Sequence, residues 1–407
     1  MNEIPAGPRP LAIPSTSEEA LRRSEKLGDA LSSLLRSSYK PHERKTLRLF
    51  SAAEAASFLR TTPTNLRQAH NQEKIIEVST KVSGRRMYSS SEIQTIRGQL
   101  EKTAKSKGAY LKKRGNSPMA VVAVSNFKGG SAKTTTAAHM AHKMALDGYR
   151  VLACDLDPQG SLSALMGFNV EIDFEGTPTL YDALRYGDPI PFDDCIYETH
   201  IANLHCVPAS LELQTFEHET ARVLANQNTW GGKAVVPFYD RLKQALASVE
   251  DSYDVVIIDC PPQLGFLTMS AITAANGILV TCVPGMMDVH SMNSFLRMAG
   301  DLMEVVEDNG GKDGVDFFRF LITRHEPTDG PQIEIVTLLR HLFGSDVLTN
   351  TLLKSTAISD AALTEETIYE VDRSNMTKST YDRARQSVDA CVEEVEQLIL
   401  QMWGRNG

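Results

Sequence analysis

The sequence contains no uninterrupted apolar run near the roughly eighteen residues that span a bilayer, and its start, MNEIPAGPRPLAIPSTSEE, lacks the basic-then-apolar pattern of a secretory signal. These absences speak against a spanning helix and predict a cytoplasmic protein. The six cysteines, Cys154, Cys195, Cys206, Cys260, Cys282 and Cys391, include no C-x-x-C pair and have no histidine companions at zinc-ligand spacing. That speaks against a disulfide scaffold and a zinc module, and predicts reduced thiols in the core. No internal repeat is visible.

The chain has 407 residues, 42% of them apolar, enough to bury a sizeable core and to form two or three domains. Its net charge of −9 hides an asymmetry: residues 1–118 carry 22 Lys and Arg against 11 Asp and Glu, and the remainder 20 against 40. A basic first third is the sign expected of a segment that meets phosphates, whether of nucleic acid or of an anionic membrane.

Residues 1–17 are rich in Pro and Ser and are expected to lack order. From Glu18 to Leu35, Leu21, Leu27, Ala30, Leu31, Leu34 and Leu35 fall at helical spacing, the pattern of a dimerisation helix or of one that docks on a neighbouring domain. Between 47 and 105 the order is two short helices, a hairpin-like stretch and a third helix, as in a winged helix-turn-helix. Ser51 with Glu54 forms a capping-box pattern, Thr62 before Pro63 reads as cap and first residue of the second helix, and Ser90 or Ser91 is the expected cap of the third. Residues 106–118 suit a basic linker, and a large domain is expected over 119–407. There, apolar strand-like runs at 119–125, 150–155, 204–207, 253–259, 277–283 and 317–323 alternate with helical stretches. This predicts an α/β fold with a mostly parallel sheet covered on both faces, preceded by an N-terminal helix and the winged helix-turn-helix.

The segment SNFKGGSAKTTT, residues 125–136, lies between a predicted strand and a predicted helix, where backbone N–H groups and a helix N-terminus hold phosphates. Lys128, Gly129, Gly130, Ser131, Ala132, Lys133, Thr134 and Thr135 are its candidate nucleotide contacts. Lys133 is expected to reach the β and γ oxygens, and Thr134 to ligate Mg²⁺. Phe127 and Ala132 stand where the ordinary G-x-x-x-x-G-K-[ST] pattern has glycine; a Cβ at 132 calls for negative φ or a deformed loop. Two strand-end acids accompany the loop: Asp157 in VLACDLDPQGS and Asp259 in YDVVIIDCPP, the latter suited to support Mg²⁺ through water.

The K-G-G-x-x-K-T pattern with these two segments resembles the deviant Walker A motif of the ParA and Mrp-like ATPases, and with the N-terminal FSAAEAASFLR and GRRMYS segments the chain resembles the larger partition ATPases, the RepA group of repABC-type plasmids. The resemblance implies a Mg-dependent ATPase with ATP and Mg²⁺ as cofactors, in which Lys128 reaches the nucleotide of a partner subunit in a homodimer. It also implies that Asp157 positions the attacking water, and that Pro284 and Arg324 lie on the base side. DNA is the implied partner in two ways. Thr64, Asn65, Arg67, Gln68 and His70 on the second helix, with Arg85 and Arg86 on the wing, would meet an operator, while Arg340 and Lys354 match basic positions that hold arbitrary DNA. A ParB-like centromere-binding protein, a nucleoid-associated location and autorepression complete what the resemblance implies. The alternatives are a repressor with a nucleotide-sensing ATPase domain, and a membrane-cycling regulator; against the latter, residues 387–403 carry Glu393, Glu394 and Glu396.

Overall fold

The computed structural model describes residues 15–38, 45–106, 108–174, 176–226, 229–311 and 314–405. Most of the Pro- and Ser-rich start lies outside them. Helix α1 (Thr16–Ser38) belongs to a unit of its own, and its Leu21 and Leu27 are exposed. Residues 46–407 form a second compact unit.

That unit opens with β1 (Phe50–Ser51), α2 (Ala52–Phe58), α3 (Pro63–Asn71), the hairpin β2 (Thr80–Val82) and β3 (Arg85–Tyr88), and α4 (Ser90–Lys102). The three strands form a small antiparallel sheet in the order β1-β3-β2. The caps explain the boundaries. Ser51 and Glu54 close a full capping box on α2, and the Thr62 hydroxyl accepts from the Asn65 N–H with Pro63 at the first position of α3. Helix α4 corrects the expected cap by one residue: Ser89, not Ser90 or Ser91, caps it in a box with Glu92.

The large sheet alternates strand and helix: β4 (Ala120–Ser125), α5 (Lys133–Leu146), β5 (Val151–Asp155), the short α6 (Ser161–Leu165), α7 (Val170–Asp173) and α8 (Leu180–Leu184), then β6 (Tyr197–Glu198), β7 (Leu204–Val207) and α9 (Leu213–Ala225). A hairpin of β8 (Thr229–Trp230) and β9 (Lys233–Ala234) precedes α10 (Phe238–Ser248), β10 (Val255–Asp259), α11 (Phe266–Ala274), β11 (Gly277–Cys282), α12 (Met286–Asp308) and β12 (Phe317–Ile322). Helices α13 (Gly330–Phe343), α14 (Thr356–Leu363) and α15 (Lys378–Met402) close the chain. The seven strands run β12-β11-β4-β10-β5-β7-β6, all pairs parallel except β6 with β7.

Strands this apolar are buried on both sides, and the pleat divides them between two cores. Ala120, Val122, Val124, Val151, Ala153, Val255 and Ile257 face one, with α5 and α15; Val121, Ala123, Leu152, Cys154, Val256 and Ile258 face the other. The first core continues without a break into Phe50, Phe58, Leu59, Ile93 and Ile96, so residues 50–102 pack on the α5 and α15 side of the sheet. Of the basic stretch expected as a linker, residues 110–118 run along the same unit rather than through solvent: Lys112 pairs with Glu396, and Arg114 is buried against the Glu250 carbonyl at 2.6 Å.

Candidate nucleotide-binding site

Three strand ends meet at the centre of the sheet. β4 delivers the loop 126–132, and in the adjacent pair β5 and β10 Asp155 stands in register with Asp259. This is the carboxyl edge of a parallel sheet, where such folds bind ligands. Asn126 ties the loop to β11 by donating to the Thr281 carbonyl at 2.5 Å and accepts from the Lys128 N–H at 3.1 Å. The Thr281 hydroxyl donates to Ser131 Oγ at 3.0 Å, the Thr323 hydroxyl to the Ser131 carbonyl at 2.9 Å, and Arg324 Nη1 to the Gly130 carbonyl at 3.3 Å. Arg324, expected on the base side, braces the loop from the end of β12.

Gly130 and Ala132 both adopt left-handed backbone, with φ of 79° and 65°. The negative φ that would have suited a Cβ at Ala132 is therefore not taken, and the residue sits at the N-cap of α5 without any side-chain cap. The first N–H groups of α5 are left for an anion. Lys133 is buried, its Nζ donating to the Lys128 carbonyl at 3.2 Å, and burial lowers its ammonium from the ordinary lysine range. Lys128 forms an ion pair with Asp288 in the first turn of α12 at 2.8 Å, and Pro284 is buried in the turn just before that helix.

Asp259 is completely buried; neither of its carboxylate oxygens has a partner at ordinary hydrogen-bond geometry among the described residues, although the Thr134 side chain lies near enough to oppose the effect of burial on its carboxyl. Burial, reinforced by the neighbouring Asp155 charge, pushes it well above the ordinary carboxylate range. Asp155 is pushed up to about 7, first by burial, although the Ser163 hydroxyl and N–H donate to it at 2.7 and 2.8 Å. Asp157, half-buried, accepts from the Gln159 N–H at 3.0 Å. Orphaned buried oxygens with Lys133 and Thr134 beside them fit a hard divalent cation that takes few protein ligands and completes its shell with water and phosphate. Among the described residues there is no group of three or more His, Cys, Asp or Glu that could hold a metal by itself.

Sequence reasoning missed Asn126, Asp155, Ser163, Thr281, Thr323 and Asp288. Asp155 and Asn126 were the most findable, as the first acid of the DLD segment and a residue of the loop segment itself; Ser163 lies just beyond the DLD segment, and Thr281, Thr323 and Asp288 come from strands and a helix far away in sequence.

On α3, Thr64, Asn65, Arg67 and Gln68 are exposed along one face, with Leu66 and Ala69 on the other. His70 corrects the list of DNA contacts: it is buried, with Nε2 3.0 Å from the Tyr88 hydroxyl, because its position falls on the core side of the helix. Arg85 is exposed, whereas Arg86 pairs with Glu77 at 3.1 Å, and Glu77 also holds Lys81. Arg340 is exposed on α13 and donates to the Thr349 carbonyl; Lys354 is exposed and paired with Glu326 at 2.7 Å.

Residues 119–309 match a family profile described as an AAA domain. A protein of Rhizobium rhizogenes named "Putative replication protein A" is 46% identical over 94% of this chain and 95% of its own length. Protein SopA of Escherichia coli K12 is 26% identical over 89% of this chain and 92% of its own. The chain belongs to the ParA, Soj and SopA family of partition ATPases. This P-loop family binds and hydrolyses ATP. A solved structure titled "Partition Protein" superposes with a TM-score of 0.59 at 17% identity, covering 93% of this chain and 98% of its own, which shows the shared fold.

Proposed function

We propose that this chain is a Mg-ATP-dependent partition switch: ATP binding closes a homodimer that holds arbitrary DNA, and hydrolysis, stimulated by a ParB-like centromere-binding partner, releases it. The observation that carries the reading is Asp259, a buried carboxylate with two unpartnered oxygens beside Lys133 at the head of α5. Thr134 and Asp259 are the residues suited to hold magnesium, which would supply positive charge to the phosphate oxygens. Lys133 and the first N–H groups of α5 neutralise and orient the phosphates. Asp157 orients the attacking water, and Lys128, once it leaves Asp288, contributes its charge to the nucleotide of the second subunit. Autorepression through the α3 face, with Arg67 and Arg85 toward operator DNA, accompanies this role, and a nucleoid-associated location follows from it.

The membrane-cycling alternative needs a free amphipathic C-terminal helix, yet the apolar face of α15, with Val388, Val392, Val395 and Ile399, is buried in the core. The repressor with a sensory ATPase is separated by experiment. ATP turnover and binding to arbitrary DNA are measured with ATP, ADP and no nucleotide at two salt concentrations, for the parent and Lys133→Ala. The switch requires DNA binding that depends on ATP and on Lys133, and turnover that rises with DNA; DNA binding indifferent to both leaves the repressor reading.

A further inference from the structure

Helix α5 starts at the nucleotide loop and runs 14 residues to Leu146, roughly 20 Å at the usual rise. Its far end is held by α4. Arg97 is 1% exposed, and among the described residues it forms no ion pair. Its Nη2 donates to the carbonyls of Leu146 at 2.7 Å and Phe58 at 2.9 Å, its Nη1 to the Tyr110 carbonyl at 3.3 Å, and its Nε to Gln94 Oε1 at 3.1 Å. Gln94 in turn donates to the Ala145 carbonyl at 2.9 Å.

Leu146 is the last residue of α5 and Phe58 the last of α2, so two helix C-termini aim their negative ends at one guanidinium. Burial pulls that guanidinium down to about 10, which leaves it charged at neutral pH. The chain makes room for it: Gly148, at φ +103°, would place a Cβ 2.4 Å from Arg97 Nε. A guanidinium 1% exposed, with its two closest acceptors on the buried Phe58 and Leu146, cannot stay behind when one of them moves, since it would be stranded without water.

We propose that Arg97 is the positioning residue through which the nucleotide state of the loop reaches α2 and α3. A shift of α5 carries the Leu146 carbonyl; Arg97 follows it, and Phe58, α2 and the exposed face of α3 follow Arg97. The inference rests on the reading of α5 as a nucleotide-responsive helix, and its DNA consequence on the reading of α3 as a DNA-binding face.

The test uses the full chain and Arg97→Met, with ADP and with a non-hydrolysable ATP analogue. Amide hydrogen exchange over residues 52–71 and affinity for promoter DNA of the protein's own operon are both read. In the parent, nucleotide changes exchange there and DNA affinity by about fivefold or more, the ordinary range of such coupling. In Arg97→Met both responses fall below about twofold, while nucleotide affinity and basal turnover stay within about twofold of the parent. A variant that keeps the parent's response overturns the inference, as does a parent whose exchange over 52–71 ignores nucleotide. An exchange response without DNA binding overturns only the DNA reading. Should Arg97→Met fail to fold, Gln94→Leu, which removes the Oε1 acceptor of Arg97 Nε and the Gln94 links to the Ala145 and Leu146 carbonyls while leaving the guanidinium in place, must still weaken the response; an undiminished response overturns the inference.

Discussion

At the scale of single residues, the site combines a strained loop with buried charge. Ala132 holds a left-handed conformation that favours glycine, costing about 1–2 kcal/mol for an L residue, part of which a glycine would give back as unfolded-chain entropy. Ala132→Gly is therefore expected to raise stability by about 0.5–1 kcal/mol in urea unfolding, and a lower midpoint would show that the loop is not strained there. For Asp157→Asn, turnover should drop by roughly 10²-fold or more while ATP affinity stays near the parent value, as measured by steady-state hydrolysis and equilibrium titration. Equal losses in both would make Asp157 a binding residue. Both positions stand out in the sequence because each belongs to a contiguous motif. Thr281 and Thr323, which hold the loop in shape, do not, since a lone polar residue at a strand end carries no signal until the neighbouring strand is known; Asn126 lies within the loop segment, but its bond to Thr281 appears only once β11 is placed beside β4.

At the scale of elements, local signals set most boundaries: Ser51, Thr62 and the alternating apolar runs appear where the sequence puts them, and the cap of α4 moves only from Ser90 to Ser89. The helix packing was not legible. Glu396 on α15 reads as one of several exposed acids, but it is 2% exposed and receives Arg60 at 2.6 Å, Tyr149 at 2.6 Å and Lys112. Burial opposes its ionisation, yet Lys112, Tyr149 and Arg60 together hold its carboxyl below the ordinary range. A depressed folded-state value means that the stabilisation is present above the unfolded value, near 4.5, and fades as pH falls through the folded one. Breaking the cluster with Glu396→Gln is expected to cost about 3–5 kcal/mol at pH 7 and to flatten the loss of stability below about pH 4.5, as measured by thermal unfolding against pH. A variant with the parent's acid profile would assign that loss to other carboxylates.

At the scale of the whole molecule, the basic stretch 46–118 and the acidic remainder are packed into one unit, so any contact of that unit with DNA is a local patch rather than a general field. Arg67→Ala is expected to weaken operator binding and reduce the slope of log affinity against log salt by about one unit, with turnover in the absence of DNA unchanged. An unchanged slope would move the contact off α3. What the sequence determined by itself was the parallel α/β core, the deviant loop and the order of its motifs, because strand burial, glycine-rich phosphate loops and strand-end acids are written in contiguous residues of fixed type. Only the tertiary structure decided that Asp155 shares the site, that His70 faces inward against Tyr88, and that Lys128 pairs with Asp288. It also decided that Arg97 joins the ends of α2 and α5. The physical reason is common to all four: a polar side chain's role is fixed by which distant backbone or charge it meets in low dielectric, and that meeting follows from how the layers pack, not from its neighbours along the chain.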